Sequence, residues 1–381
     1  MPDPSLGIQL DGKALPGDVM ARLTQVEVRE SDADPTIATL RFSLAQGPDG
    51  RFFVLDDTLF GPATPVDVDI AAPGGLSTRL LSGFVTHVRP HFEAIESNCY
   101  LEILVMDVGA LLDVEERVAS YPDSSDSEAA EEIFKRYKIE NEVKASAARH
   151  EADRQLLVQR GTDLDFLAGL ARRNGYAFFF EYDPDKKKVI AHFHPPDLEG
   201  TAQADLTILQ GDDNLEWVDF QWSAAAPVRV VGHAIDPFAK QILTSTSEGV
   251  NAEGGERGLA DDVEAGLKKR GVEFAQHLLR DPLPLEAAIS AEGDAATDRA
   301  KDLVEARGQV DPTLYRGLLR ARRPVLLKGV GDRLSGRYYV RGVRTEVVEG
   351  RVTQTFVAHR NALGRTGRER FGQQAEEVPP Q

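Results

Sequence analysis

Asp163 and Asp165 stand two residues apart in GTDLDF. Paired carboxylates about 5–10 Å apart are what glycoside hydrolysis needs, one as acid and one as base or nucleophile. A local use competes with that chemistry. Thr162 sits where its hydroxyl can accept the N–H of residue 165, and acidic side chains in a first turn face the positive end of a helix dipole. The start of a helix therefore explains both aspartates. His192 and His194, at i and i+2 of AHFHP, share one side of a strand, a spacing that suits a metal ion. No third ligand accompanies them and Pro195-Pro196 follows, so a surface or half-buried pair is expected, as for the lone His87 and His91.

Other chemistry is weaker. Ser82 and Ser335 stand in L-S-G rather than G-x-S-x-G, and neither precedes a helical pattern. Gly329-Val330-Gly331 lacks a third glycine, and Gly254-Gly255 lacks the Lys-Ser/Thr of a phosphate loop. Cys99 is the single cysteine, which excludes an intrachain disulfide and a cysteine zinc site; it reads as a small buried hydrophobe. Trp217 and Trp222 offer surfaces on which a sugar stacks, but with Phe220 between them they read as core and flank of a strand. Arg316, Arg320, Arg322, Arg323 and Lys328 form the one basic run, RGLLRARRPVLLKG. It is either a solvated edge with arginine stems lying on apolar surface, or a docking site for an acidic partner. No catalytic, cofactor-binding or metal residue is assigned, and no cofactor is expected.

The elements that carry these residues follow from periodicity. Residues 5–112 show short apolar alternations such as TIATLRFSLA and NCYLEILVMDV, separated by Pro/Gly/Asp turns, which predicts a β-barrel or sandwich. Residues 113–203 change character: SEAAEEIFKRYKI has helical periodicity, and VQRGTDLDFLAGLARRNGYAFFFEYDP predicts a helix closed by Asn174-Gly175 and a strand, YAFFFEY. Phe178, Phe179 and Phe180 are consecutive, so both faces of that strand must be covered: one by the helix, the other within the same domain or by a neighbouring domain or subunit. Residues 204–245 and 313–364 read as β again, with a helical insertion over 246–312 and a mobile polar tail over 365–381.

The β segments echo one another. Leu81-Ser82-Gly83 opens FVTHV, and Leu334-Ser335-Gly336 opens YYVRGV, each followed by a second strand of a hairpin. A duplicated barrel topology is the expectation.

Composition narrows the classes. The 381 residues carry 62 acidic against 44 basic side chains, a net charge of -18, which argues against nucleic-acid binding and against attraction to anionic membranes. MPDPSLGIQLDGK has neither a basic n-region nor an apolar h-region, and no run of about 18 apolar residues occurs. Synthesis and assembly in the cytoplasm are expected.

The stretch over 157–180, L-x-Q-R-G-T-D-L-D-F-L-x-x-L-A-R-R-N-G-Y-x-F-F-F, resembles the signature of the phage late-control D family, the baseplate hub proteins of contractile tails. It is similar to the hub part of type VI secretion spike proteins. The stretch GVGDRLSGRYYVRGVRTEVVEGRVTQTFVAHRNALG resembles that family's C-terminal strands. The resemblance implies a mainly β fold with two tail-tube-like barrels, each interrupted by an α+β insertion. It implies a homotrimer that joins a sixfold tail tube, or a tube-initiator protein, to a threefold spike, among other baseplate subunits of a phage tail or contractile injection particle. The chain ends soon after Leu363, so the spike is expected as a separate polypeptide. A non-enzymatic structural hub is the leading expectation; a cell-wall glycan hydrolase and an effector-carrying secretion hub are the alternatives.

Overall fold

The computed structural model of the chain describes residues 5–56, 59–71, 77–153, 156–223, 229–236, 240–247, 259–272, 276–278 and 286–364. The expected mobile tail and Gly254-Gly255 lie outside the described residues. The fold is mainly β, organised around a 13-stranded, largely antiparallel sheet.

The first β unit contributes seven strands, the two-residue Lys13–Ala14 at the edge beside β1 and six longer ones: β1 (Ser5–Leu10), β2 (Leu23–Ser31), β3 (Ile37–Ser43), β4 (Pro65–Ala71), β5 (Thr78–His91) and β6 (Tyr100–Asp107). Their alternation puts Val26, Val28, Leu40, Phe42, Ile103 and Val105 on one core face. An α/β domain follows, with β7 (Glu116–Tyr121), helix α1 (Asp126–Arg136), β8 (Glu140–Val143), β9 (Leu157–Thr162), helix α2 (Asp163–Asn174), β10 (Ala177–Asp183) and β11 (Lys188–His194). It has its own core around Ile133, Phe134, Leu167 and Phe193. The second β unit holds β12 (Leu206–Thr207), β13 (Leu215–Trp222), β16 (Val304–Val310), β17 (Arg323–Lys328), β18 (Gly336–Val348) and β19 (Arg351–Arg360). Between β13 and β16 lie β14 (Arg229–Asp236), β15 (Gln241–Ser247) and helix α3 (Glu286–Lys301), where β14 and β15 belong to a separate small sheet.

Two placements differ from the boundaries read from sequence. Residues 304–310, assigned to the helical insertion, form β16, which pairs with β13 on one side and β19 on the other. The stretch AATDRAKDLVEAR looked helical throughout, but after Lys301 the alternation of Val304, Ala306, Gly308 and Val310 takes over, and a strand hydrogen-bonded on both sides overrides modest helix propensity. Residues 229–236 and 241–245, assigned to the second β unit, instead make up β14 and most of β15. The α/β domain stands between the two β units and interrupts neither.

The two units repeat one topology. In chain order their strands lie side by side as second, third, sixth, fifth, fourth, first: β2-β3-β6-β5-β4-β1 and β13-β16-β19-β18-β17-β12. Register agrees as well. A bulge at Thr24 of β2 matches one at Glu216 of β13. Counting through the ladders from that pair carries Val105 onto Ala358, and opposite these two residues a second bulge follows Val85 in β5 and Val340 in β18. Pro65 opposite Phe84 matches Pro324 opposite Tyr339. FVTHV thus aligns with YVRGV, while the L-S-G triplets fall two residues out of register: Leu81 is inside β5, and Leu334 ends a short helix. The last pair differs in direction, since β1–β4 is antiparallel and β12–β17 parallel. No closed barrel forms among the described residues.

The units are fused through β18. Its first half pairs with β17, and residues 342–348 pair with β2 of the first unit. A continuous eight-strand path results: β13-β16-β19-β18-β2-β3-β6-β5.

Candidate functional site

Helix α2 is specified at both ends. The Thr162 hydroxyl accepts the Asp165 N–H at 3.2 Å, and Gly175 closes the helix in the left-handed conformation at φ 67°. That closure aims β10 so that Phe178 and Phe180 point into the α/β core against Phe134, at ring-centre distances of 6.2 and 6.3 Å. Phe179 points the other way. It stacks on His192 at 4.5 Å with the planes 9° apart, and the Arg322 guanidinium lies 4.3 Å over its ring. The second face of the aromatic strand is therefore covered by a neighbouring domain of the same chain.

Around Phe179 the three units meet. Arg320 donates to Glu30 of β2 at 2.8 Å and lies 3.1 Å from Glu181 of β10, which also accepts from Arg323 at 2.9 Å. Arg322 donates to the Ser31 carbonyl at 2.7 Å and to the Thr36 hydroxyl at 2.9 Å. Burial works against the Arg320 charge, but Glu30 and Glu181 outweigh it. Burial likewise pushes Glu181 up, and Arg320, Arg323 and Arg322 bring it below the ordinary carboxylate range. Beside them Asp107 is fully buried, and burial raises it to about 6 although it accepts the N–H groups of Thr36 and Gly109 at 2.6 and 2.9 Å. The basic run read as an exposed edge or a docking site is thus largely spent inside the chain. Lys328 pairs with Asp205 at 2.5 Å.

Asp163 and Asp165 do not form a catalytic pair. Asp165 is exposed, whereas Asp163 is buried and accepts from Arg136 at 2.9 Å, Tyr137 at 2.7 Å and Gln159 at 2.8 Å. Burial opposes the Asp163 charge, but these donors hold it below the ordinary carboxylate range, where it cannot serve as an acid near neutrality. Asp126, bound by His150, Arg173 and Asn174, is brought down to about 2 in the same way, with burial opposing. His192 is partly buried and pushed down to about 4 by that burial; His194 meets it edge-on at 5.5 Å. No group of three His, Cys, Asp or Glu side chains placed to hold a metal is found among the described residues. Cys99 is buried in the first core, and Ser82 donates to Asp67 at 2.6 Å. Trp217 and Trp222 are exposed on β13 rather than core residues. A cavity of about 680 Å³ opens where the units meet, with Asp32, Tyr176, Arg337 and Arg341 in its walls. Two of its arginines are held within the chain: Arg341 reaches Asp32 at 3.1 Å, and Arg337 donates to the Leu198 carbonyl at 2.8 Å.

The broadest polar feature is one face of the eight-strand path. Glu27, Arg29, Arg344 and Glu346 form a ladder of ion pairs across β2 and β18. Arg41, Arg89 and Glu102 continue it across β3, β5 and β6, and Glu305 and Arg307 pair on β16, with His359 of β19 at 3.4 Å from Glu305. Both signs alternate, so the acidity of the whole chain is not concentrated there. The opposite face carries the cores. This surface was not read from sequence, nor was the partner of Arg320. A signal for the latter exists: Val26 and Val28 face the core, and the next residue with that orientation is Glu30, which requires a buried cation.

Comparison with solved structures places this architecture in one fold class. The 43 kDa tail protein of prophage MuSo2 from Shewanella oneidensis matches with a TM-score of 0.61 at 13% identity, covering 93% of this chain and 98% of that one. A tail protein from Neisseria meningitidis MC58 matches at 0.61 and 11% identity, covering 94% and 97%. An Escherichia coli component of the type VI secretion system, described as structurally similar to phage T4 tail proteins gp27 and gp5, matches at 0.53 and 16%, covering 98% and 80%. The chain has the fold of phage tail proteins. By sequence it belongs to the family described as the Alg8 N-terminal domain, whose model matches residues 4–349. That is a different family name from the late-control D family that the motifs resemble. No curated protein matches the chain.

Proposed function

We propose that this protein is a structural, non-enzymatic hub of a contractile tail or injection machine. Three copies build a ring of six similar β units that joins a sixfold tube to a threefold spike. The observation that carries the reading is the repeat of one strand order within one chain, with five strands matched in order, direction and bulges and the sixth in place but reversed. Two like units per copy turn threefold assembly into near-sixfold symmetry, which a tube can follow. The ion-paired face of the eight-strand path lines the channel, and the buried junction at Arg320 and Arg322 fixes the α/β domain on the outside of the ring. In the glycan-hydrolase alternative Asp163 would act as the acid; its pairing with Arg136 opposes that.

Sedimentation velocity of the purified chain, alone and mixed with spike and tube proteins from the same particle, tests the reading. A species of three chains supports it. A chain that stays monomeric at every concentration and in every mixture overturns it, as does cell-wall hydrolysis that Asp163→Asn abolishes while the fold survives.

A further inference from the structure

Among the described residues the repeat leaves two strand edges with no strand on them, and each has a covered counterpart elsewhere in the chain. In the second unit, β18 continues past its bulge, and residues 342–348 receive β2. In the first unit, β5 also continues past its bulge, and β4 stops opposite Phe84. Residues 87–91 then pair only with β6, so their other edge is open among the described residues. At the far end of the path β13, the counterpart of β2, pairs among the described residues only with β16, which leaves its outer edge open there.

We propose that the open edge of β5 pairs, antiparallel, with the open edge of β13 from a second copy of this chain. This rests on the ring reading above and specifies the contact that would close it. The register follows from the repeat. Arg344 lies opposite Arg29 in β18–β2; Arg89 and Gln221 occupy the matching positions, so they face each other across the new ladder. Val88 then meets Trp222, and His91 meets the Asp219 carboxylate.

Side-chain exposure supports the pairing. Val343 and Val347, on the covered half of β18, are 3% and 7% exposed, whereas their counterparts Val88 and Phe92 are 38% and 51% exposed. Trp222 is 44% exposed on the other edge. Apolar side chains on bare strand edges invite pairing by another chain. Pro90 withholds one N–H, which costs the ladder one bond and discourages unrelated strands.

Disulfide trapping tests this. In a Cys99→Ser background, Arg89→Cys and Gln221→Cys are introduced together and the protein is oxidised mildly. Covalent dimers and trimers are expected, because directly opposed residues lie within disulfide reach. Arg29→Cys with Arg344→Cys, the matching pair inside one chain, must yield an oxidised monomer. Arg89→Cys with Trp217→Cys, about 13 Å out of register, must yield little cross-link. Three outcomes are distinguishable. A trimer by sedimentation in which the Arg89/Gln221 pair does not cross-link overturns this contact and spares the ring. A cross-link within one chain overturns it in favour of self-closure. A monomer at all concentrations with no cross-link overturns both.

Discussion

Arg320 and Arg344 each stand between two glutamates, yet the molecule treats them in opposite ways. Arg320 is buried at the junction, holding Glu30 and Glu181 from two different domains. Arg344 lies half exposed on the sheet face, shared by Glu27 and Glu346. Burial removes water as an alternative partner, so the first set is committed to one geometry, whereas the second keeps water at Arg344 and Glu346 and buries Glu27 alone. The junction is built to hold domains in place, and the sheet face to stay wet.

The largest effect should come from breaking the junction. Arg320→Ala leaves Glu30 buried without its ion-pair partner and Glu181 with Arg323 alone, and the expected loss in denaturant unfolding is about 3–5 kcal/mol. Arg320→Met combined with Glu30→Gln should recover much of it. A loss of under about 1 kcal/mol from Arg320→Ala would place the junction in the same class as the sheet face.

Next comes pH. His192 is held down to about 4, below its ordinary 6.5, by burial, with His194 and Arg322 adding to it and Glu181 and Glu142 opposing. Its contribution to stability is complete above pH 6.5 and is lost as pH falls through about 4. Asp107 is raised by burial from 3.8 to about 6, so its contribution is present below pH 3.8 and is lost as pH rises through about 6. The two oppose each other between pH 4 and 6. His192→Gln should therefore make the chain comparatively more stable in acid, and Asp107→Asn more stable near neutrality, each by on the order of 3 kcal/mol across its window. Unfolding midpoints across pH check both signs; parallel profiles for wild type and variants would remove these groups from the account.

The smallest effect belongs to the sheet face. Arg344→Ala should change stability by less than about 1 kcal/mol, because Arg344 is half exposed and the buried Glu27 keeps Arg29 as a partner. Thermal unfolding at low and high salt is sufficient to measure it. A loss comparable to that of Arg320→Ala would mean that the face is dry.

Much of this was legible in sequence where local physics decides. The cap at Thr162, the stop at Gly175 and the two-sided burial of Phe178, Phe179 and Phe180 need only their neighbours. The mainly β class was legible as well, and so was an echo between the strands FVTHV and YYVRGV, though not its register. Long-range pairing was not. Strand β16 declared itself only through β13 and β19, which lie on either side of it in space but far apart in the chain. Arginines in RGLLRARRP looked solvent-facing because their carboxylate partners, Glu30 and Glu181, are 290 and 139 residues away along the chain. The triplet L-S-G pointed to the right strands and the wrong register, because short polar turns drift while bulges fixed by two ladders do not.

End-on electron-microscopy averages of the assembled protein test the central claim most directly. Two like units per chain in a threefold assembly predict a ring of six similar lobes around a hole, with alternate lobes distinguished by their insertions. A particle with three lobes and no sixfold component, or one with no central hole, would contradict it.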